Sequence, residues 1–270
     1  MNNWLLITLD SCRYDSFVEA NPKNMLSLGK LEKRYSYASW TFPSHCNLLT
    51  GVLNHTNREN QFPVADLVDV RKKYRERLGV PDLRMKSLLP RLWLPDWLRN
   101  RLGYNTTAIT SMAPLNNNTI VSTGFEIFHH MHRHNTFKLM LPLLKFNEDN
   151  KPSFYLMNIG ETHYPYATPD EPPYLWPRLS GAFGAFKDDF GMPDKFFNKD
   201  EMAKLRKRQI NTVQYVDTVM NELFNMVPKG TYVTITADHG DCFGEGGHFG
   251  HAAVCHPKVF EVPWVEGLVK

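Results

Sequence analysis

Thr234-Ile235-Thr236-Ala237-Asp238-His239-Gly240-Asp241 is a largely apolar strand that runs straight into a carboxylate, an imidazole and a glycine. The tail Cys242-Phe243-Gly244-Glu245-Gly246-Gly247-His248-Phe249-Gly250-His251 follows at once. A strand that ends in adjacent acid and imidazole groups is suited to hold a divalent metal. The strand fixes the backbone, and Gly240 is expected to allow the tight turn on which both side chains converge. Read alone, the same segment is equally an acidic exit from a strand with an incidental histidine.

Two further segments bear on the choice. Trp4-Leu5-Leu6-Ile7-Thr8-Leu9 is a short apolar run that ends in Asp10 and continues as Ser11-Cys12-Arg13-Tyr14-Asp15. Again a carboxylate stands at the carboxyl end of a buried strand, the edge where open α/β sheets place their sites. Asp10 alone could cap a helix, and Arg13 and Asp15 suit a structural pair. The third segment is Ser39-Trp40-Thr41-Phe42-Pro43-Ser44-His45-Cys46-Asn47-Leu48-Leu49-Thr50-Gly51. Pro43 suits the first turn of a helix and Thr50-Gly51 its end. Thr41 is thereby expected just ahead of a helix N-terminus, which attracts phosphate or sulfate. Thr41 is either an N-cap or a nucleophile, and a nucleophilic hydroxyl needs a metal to ionise it.

Together these segments resemble the alkaline phosphatase superfamily, in its sulfatase-like branch, over nearly the whole chain. Leu9 to Asp15 is similar to the first metal motif, and Trp40 to His45, running on to Leu49-Thr50-Gly51, to the nucleophile helix. Leu102-Gly103-Tyr104-Asn105-Thr106 and Gly124-Phe125-Glu126 resemble landmarks of the middle strands. Glu161-Thr162-His163-Tyr164-Pro165-Tyr166 is similar to a substrate-histidine loop. Asp238-His239-Gly240-Asp241, Gly244-Glu245, Gly250-His251 and Val262-Pro263 match the C-terminal motif in order and spacing. The resemblance implies that Asp10, Asp238 and His239 bind a metal and that Thr41 is both ligand and nucleophile. It also implies that His163 and His251 touch the substrate's non-bridging oxygens or its leaving group. His248 matches no family position.

Two departures shape the expected chemistry. Formylglycine-forming sulfatases carry Cys or Ser at the nucleophile position and Arg two residues after the proline; here Thr41 and His45 stand there. Threonine cannot become formylglycine, and it is the residue that the phosphoryl-transferring branches use. Ser11 replaces the second acid common after the first Asp. Two carboxylates, one imidazole and one alkoxide suit zinc or manganese better than calcium or magnesium, since calcium wants roughly six to eight oxygens. The expected activity is that of a metal-dependent phosphoester hydrolase with a phosphothreonine intermediate. The alternatives are a phosphoethanolamine-type transferase, a sulfatase-like hydrolase and a non-catalytic metal-binding module that acts through a partner.

Composition is compatible with this. A chain of 270 residues can form one large α/β domain spanning residues 1–270. A net charge of +3 gives no case for nucleic acid, so a small phosphoester is the expected partner. No apolar run reaches the roughly 18 residues of a membrane span, and no signal peptide precedes Trp4. Cys12, Cys46, Cys242 and Cys255 form no CxxC pair, and three lie beside the site motifs. They suit packing rather than disulfides, which makes a reducing cytoplasm the default compartment.

Strands are expected at Trp4 to Leu9, Asn105 to Thr110, Phe154 to Ile159 and Tyr232 to Ala237. Helices are expected after Pro43 and from Lys199 to Met226, where Ile210, Val213, Val216, Val219, Met220 and Leu223 recur at helical spacing. The alternation implies a doubly wound α/β sandwich, with little or no C-terminal subdomain after Val262-Pro263. Arg84 to Arg101, with Trp93 and Trp97 and the breaks Pro90 and Pro95, reads as a helix or lid packed on the body, or as a membrane-lying segment. His129, His130, His132 and His134 fit no ordinary metal spacing and read as an exposed loop. Pro165 to Pro177 reads as a loop bordering the site.

Overall fold

The computed structural model describes residues 1–51, 93–146, 148–177, 198–252 and 254–270, with residues 72, 75, 76, 79 and 81. In chain order its strands are β1 (Trp4–Leu9), β2 (Glu32–Tyr35), β3 (Asn105–Thr110), β4 (Ile127–His130), β5 (Ser153–Ile159), β6 (Tyr232–Ala237), β7 (Cys242–Phe243), β8 (Phe249–Gly250) and β9 (Glu261–Leu268). The helices used below are α1 (Tyr14–Ala20), α2 (Lys23–Leu26), α3 (Thr41–Thr50), α4 (Leu94–Leu102), α5 (Phe137–Met140), α6 (Lys199–Met226) and α7 (Pro257–Phe260). Seven strands form one sheet in the order β2-β9-β6-β1-β5-β3-β4, and β7 pairs with β8 in a separate ribbon. The four strands expected from the sequence are β6, β1, β5 and β3, the parallel middle of that sheet.

These strands are buried on both faces, as a parallel sheet covered by helices requires. Alternate residues of β1 serve opposite layers. Leu5, Ile7 and Leu9 join Phe17 and the Ile210, Val213, Val216, Met220 and Leu223 face of α6. Leu6 points the other way, into a cluster with Leu49 of α3, Trp93, Leu98 of α4 and Leu156. Trp93 is thus part of a core beside α4, where Pro95 opens a helix rather than breaking one. That settles the described part of this insertion as packed on the body; residues 84–92 lie outside the described residues.

Three strands and their pairings went beyond the sequence expectations. β9 runs antiparallel to β6 and β2 antiparallel to β9, so one flank of the sheet is mixed. β2 is exposed throughout and reads Glu-Lys-Arg-Tyr, a charged edge that discourages further strand pairing. β4 takes in His129 and His130, so half of the histidine cluster is strand rather than loop.

Register brings the site residues to one rim. Leu9 lies opposite both Ile159 and Ala237, so β1, β5 and β6 end flush. The next residues in β1 and β6 are Asp10 and Asp238. The Asp10 amide continues the ladder by donating to the Ile159 carbonyl at 2.8 Å. No described helix is long and apolar enough to cross a membrane.

Candidate metal centre and active site

Asp10, Asp238 and His239 are fully buried, and their ligand atoms all lie within 4.8 Å of one another. Backbone geometry on the β1 side ties the two acids together. Ser11 sits in the left-handed region at φ 59, and its amide donates to Asp238 Oδ1 at 3.1 Å while its hydroxyl donates to Asp10 Oδ1 at 3.3 Å. A non-glycine residue held there costs about 1–3 kcal/mol, a strain common at functional sites. Asn158 of β5 donates to Asp10 Oδ2 at 2.9 Å, and Thr162 donates to the Asp10 carbonyl at 2.6 Å. Gln209 of α6 reaches under both loops and donates to the Ser11 and Thr162 carbonyls.

Thr41 is the first residue of α3, with Trp40 in the N-cap position, so the threonine is inside the helix start rather than ahead of it. Its hydroxyl is not spent on capping: Oγ1 lies 3.3 Å from His239 Nε2. Thr41 and Phe42 present the free N–H groups of a helix N-terminus. His45, in the position expected for arginine, is buried, with Nδ1 2.8 Å from the Thr41 carbonyl and Nε2 3.0 Å from the Thr8 hydroxyl. Burial lowers its pKa, so it is a neutral brace for the helix rather than a fixed cation.

The donor set fits a divalent cation. Asp238 Oδ2 is buried with no hydrogen-bond partner, although His239 Nε2 lies 3.4 Å and His45 Nδ1 3.8 Å away. Burial pushes the Asp238 carboxyl well up, and the Asp10 charge pushes it further. Asp10 itself is raised by burial, but the imidazoles of His163 and His239, the Asn158 amide and His45 outweigh that and hold it low. Burial, then His251, bring His239 down to about 4, which leaves a neutral imidazole with a lone pair to give. Among the described residues neither acid pairs with lysine or arginine. Two buried carboxylates, one with an unpartnered oxygen, beside a neutral histidine are a charge deficit that a metal ion would fill.

His251 and His163, the two histidines expected to meet a substrate, stand on the other side of His239. The His239 and His251 ring centroids are 4.2 Å apart, and those of His251 and His163 are 5.3 Å apart. His251 Nδ1 meets Asp241 Oδ1 at 2.7 Å, and the Tyr166 hydroxyl donates to Asp241 Oδ2 at 2.7 Å. Burial lowers His251, but the Asp241 charge and hydrogen bond prevail and raise it above the ordinary imidazole value. His251 is therefore able to carry a proton toward a leaving group. His239, Asp241 and His251 also make a second cluster with metal-ligand spacing. Sequence reasoning assigned no role to Asp241, Tyr166, Asn158 or Gln209; the one legible signal was Asn158, a polar residue inside an apolar strand.

Gly240 is needed for a reason other than the expected turn. Its φ is not in the left-handed region; instead a Cβ there would lie 2.2 Å from the Lys258 carbonyl oxygen, against α7. Its amide donates to the Val259 carbonyl at 2.7 Å, which seats the His239–Asp241 loop on that element. Gly240→Ala is expected to destabilise the protein by about 1–3 kcal/mol through overpacking. Unfolding in urea measures this, and wild-type stability in the variant would contradict the contact. Nearby, Arg13 is buried, at 2.7 Å from Asp15 and 2.6 Å from Glu245, and Lys258 also pairs with Asp15. The structural role expected for Arg13 and Asp15 holds, since they fasten the first loop to the last.

Solved structures share this fold. The C-terminal periplasmic domain of EcEptC from Escherichia coli, in complex with Zn, aligns with a TM-score of 0.62 at 14% identity, over 100% of this chain and 73% of that one. The C-terminal periplasmic domain of the phosphoethanolamine transferase EptC from Campylobacter jejuni gives 0.55 at 14%, over 99% and 79%. BT1596, a 2-O GAG sulfatase, gives 0.61 at 14%, over 98% and 64%. No curated protein sequence matches the chain. The fold is that of the alkaline phosphatase superfamily, and the family description "Sulfatase" matches residues 2–263, which take in every site element above; the chain belongs to the sulfatase family.

Proposed function

We propose that the protein is a metal-dependent phosphoester hydrolase in which Thr41 is the nucleophile. The observation that carries this is the Thr41 hydroxyl, 3.3 Å from His239 Nε2 at the rim of the Asp10–Asp238 pair, with no capping duty to explain it. Asp10, Asp238, His239 and Thr41 would hold the metal. A bound divalent ion would polarise the phosphoryl oxygen and acidify the threonine hydroxyl; zinc lowers even the pKa of water to about 7. Thr41, its hydroxyl proton released to solvent, attacks phosphorus in line, and the bond to the leaving oxygen breaks as the phosphothreonine forms. The N–H groups at the start of α3 stabilise the phosphoryl oxygens. His251, its proton retained by Asp241, protonates the leaving oxygen, with His163 beside it. Water, giving a proton to the His251 left neutral by the first step, then attacks phosphorus and frees phosphate from Thr41.

The threonine separates phosphate from sulfate chemistry. A formylglycine diol expels sulfate with its second hydroxyl, and Thr41 has only one. Nitrophenyl phosphate is therefore expected to turn over much faster than nitrophenyl sulfate, in parallel assays with zinc or manganese. Faster sulfate hydrolysis would overturn the substrate class. Transfer to an alcohol in place of water is the second reading, favoured by the fold shared with a phosphoethanolamine transferase. Product analysis with added ethanol or glycerol separates the two, since a transferase makes the new ester.

A further inference from the structure

A cleft of about 470 Å³ opens beside His163, walled by His130, His132, Arg133, His134 and Trp176. Building on the phosphoryl-transfer reading, we propose that this cleft is the leaving-group subsite and that it selects a ring-shaped leaving group bearing a second anion. Its place follows from a row of side chains. The Thr41 hydroxyl touches His239, the His239 ring lies tilted against His251, and His251 meets His163 edge-on. His163 is also a wall of the cleft, and at its far side His134 meets Trp176 edge-on with centroids 5.3 Å apart. The cleft thus begins where the nucleophile's row ends. In-line displacement puts the leaving group on the side of phosphorus away from the nucleophile.

The backbone is built to bring this wall close. A Cβ on Gly160 would lie 2.6 Å from the His134 carbonyl oxygen and 2.8 Å from Ser111 Oγ. Glycine at the end of β5 lets the 131–136 loop close against the sheet rim. Glu161 Oε1 accepts from the Phe137 amide at 2.8 Å, and Asn135 donates to the Thr168 carbonyl at 3.1 Å, which pin the loop from both sides.

The chemistry of the wall chooses the ligand. Among the described residues no carboxylate lines the cleft, and Arg133 supplies a fixed positive charge. His134 Nε2 is shielded from solvent and has no hydrogen-bond partner, so in the tautomer with the proton on Nε2 a turn of the ring would give it a bond to donate to a ligand. Trp176 offers a flat apolar face for a ring. Among the described lining residues a cationic group would meet Arg133 and no counter-charge.

Three phosphonates that cannot be hydrolysed test this by calorimetry on the zinc- or manganese-loaded protein: benzylphosphonate, 4-carboxybenzylphosphonate and 4-(aminomethyl)benzylphosphonate. The carboxylate is expected to bind about tenfold tighter than the parent and the amine more weakly than the parent. Arg133→Ala, at an exposed position, and His134→Ala are each expected to shrink the carboxylate-to-parent ratio toward one. Equal affinities, or a ratio that neither substitution changes, would overturn the subsite. Turnover of nitrophenyl phosphate judges the phosphoryl centre separately: hydrolysis with no preference among the phosphonates removes the subsite and leaves the enzyme. Failure of all three to bind overturns the subsite as well.

Discussion

We expect Thr41→Ala to lower the turnover of phosphate esters by about 10,000-fold or more, the scale of losing a nucleophile, while the protein stays folded. The hydroxyl lies 3.3 Å from His239 and does not cap α3, whose cap position is Trp40. A structural threonine at a cap would instead cost about 1 kcal/mol and leave the chemistry intact. The two outcomes differ in every observable. Acid-quenched protein exposed to labelled substrate is expected to carry phosphate on threonine in the wild type and none in Thr41→Ala. Thr41→Ser keeps the hydroxyl and is expected to recover labelling. Undiminished turnover in Thr41→Ala would remove the nucleophile assignment, whatever the melting temperature.

The second large effect is expected at Asp238. Asp238→Asn keeps an oxygen to accept from the Ser11 and His239 amides, which bond Oδ1 at 3.1 and 2.9 Å. It removes the charge beside Asp10. Metal affinity is expected to fall by more than about 100-fold, beyond what outer partners of a metal site contribute, and turnover is expected to fall with it. Stability of the metal-free protein is expected to move the other way. With Asp238 raised above its ordinary value, the metal-free native state retains a proton there that the unfolded chain has released. Stability therefore declines as pH rises through that window. Asn cannot ionise, so after chelation at pH 8 the variant is expected to melt no lower than wild type. Chelation is expected to lower the wild-type melting temperature and leave Asp238→Asn unmoved. A variant that keeps full metal content would contradict the ligand assignment.

The sequence made the middle of the sheet legible because strands buried on both faces are rich in apolar and β-branched residues throughout. β1, β3 and β6 fall at the bounds read from Trp4 to Leu9, Asn105 to Thr110 and Tyr232 to Ala237, and α6 at Lys199–Met226. β2 was not legible, since Glu32-Lys33-Arg34-Tyr35 is a charged edge whose strand character comes from pairing with β9. β9 was hidden by Pro263 and Gly267; Pro263 lies beyond the ladder with β6, which begins at Trp264. At the site, the residues that end strands, Asp10 and Asp238, were readable because a strand end predicts a rim. Their supports were not. Asn158, Gln209 and Tyr166 act through contacts 75 to 198 residues away in sequence, and periodicity carries no trace of such partners. Gly240 was identified as necessary, but for a turn; the close carbonyl of Lys258 is visible only in three dimensions.

Anomalous diffraction from crystals grown with zinc, and separately with manganese, tests the central claim most directly. One strong peak is expected at bonding distance, about 2 Å, from Asp10, Asp238 and His239, with the Thr41 hydroxyl turned onto it. A peak held only by His239, Asp241 and His251, or no peak beside the Asp10–Asp238 pair at saturating metal, would contradict it.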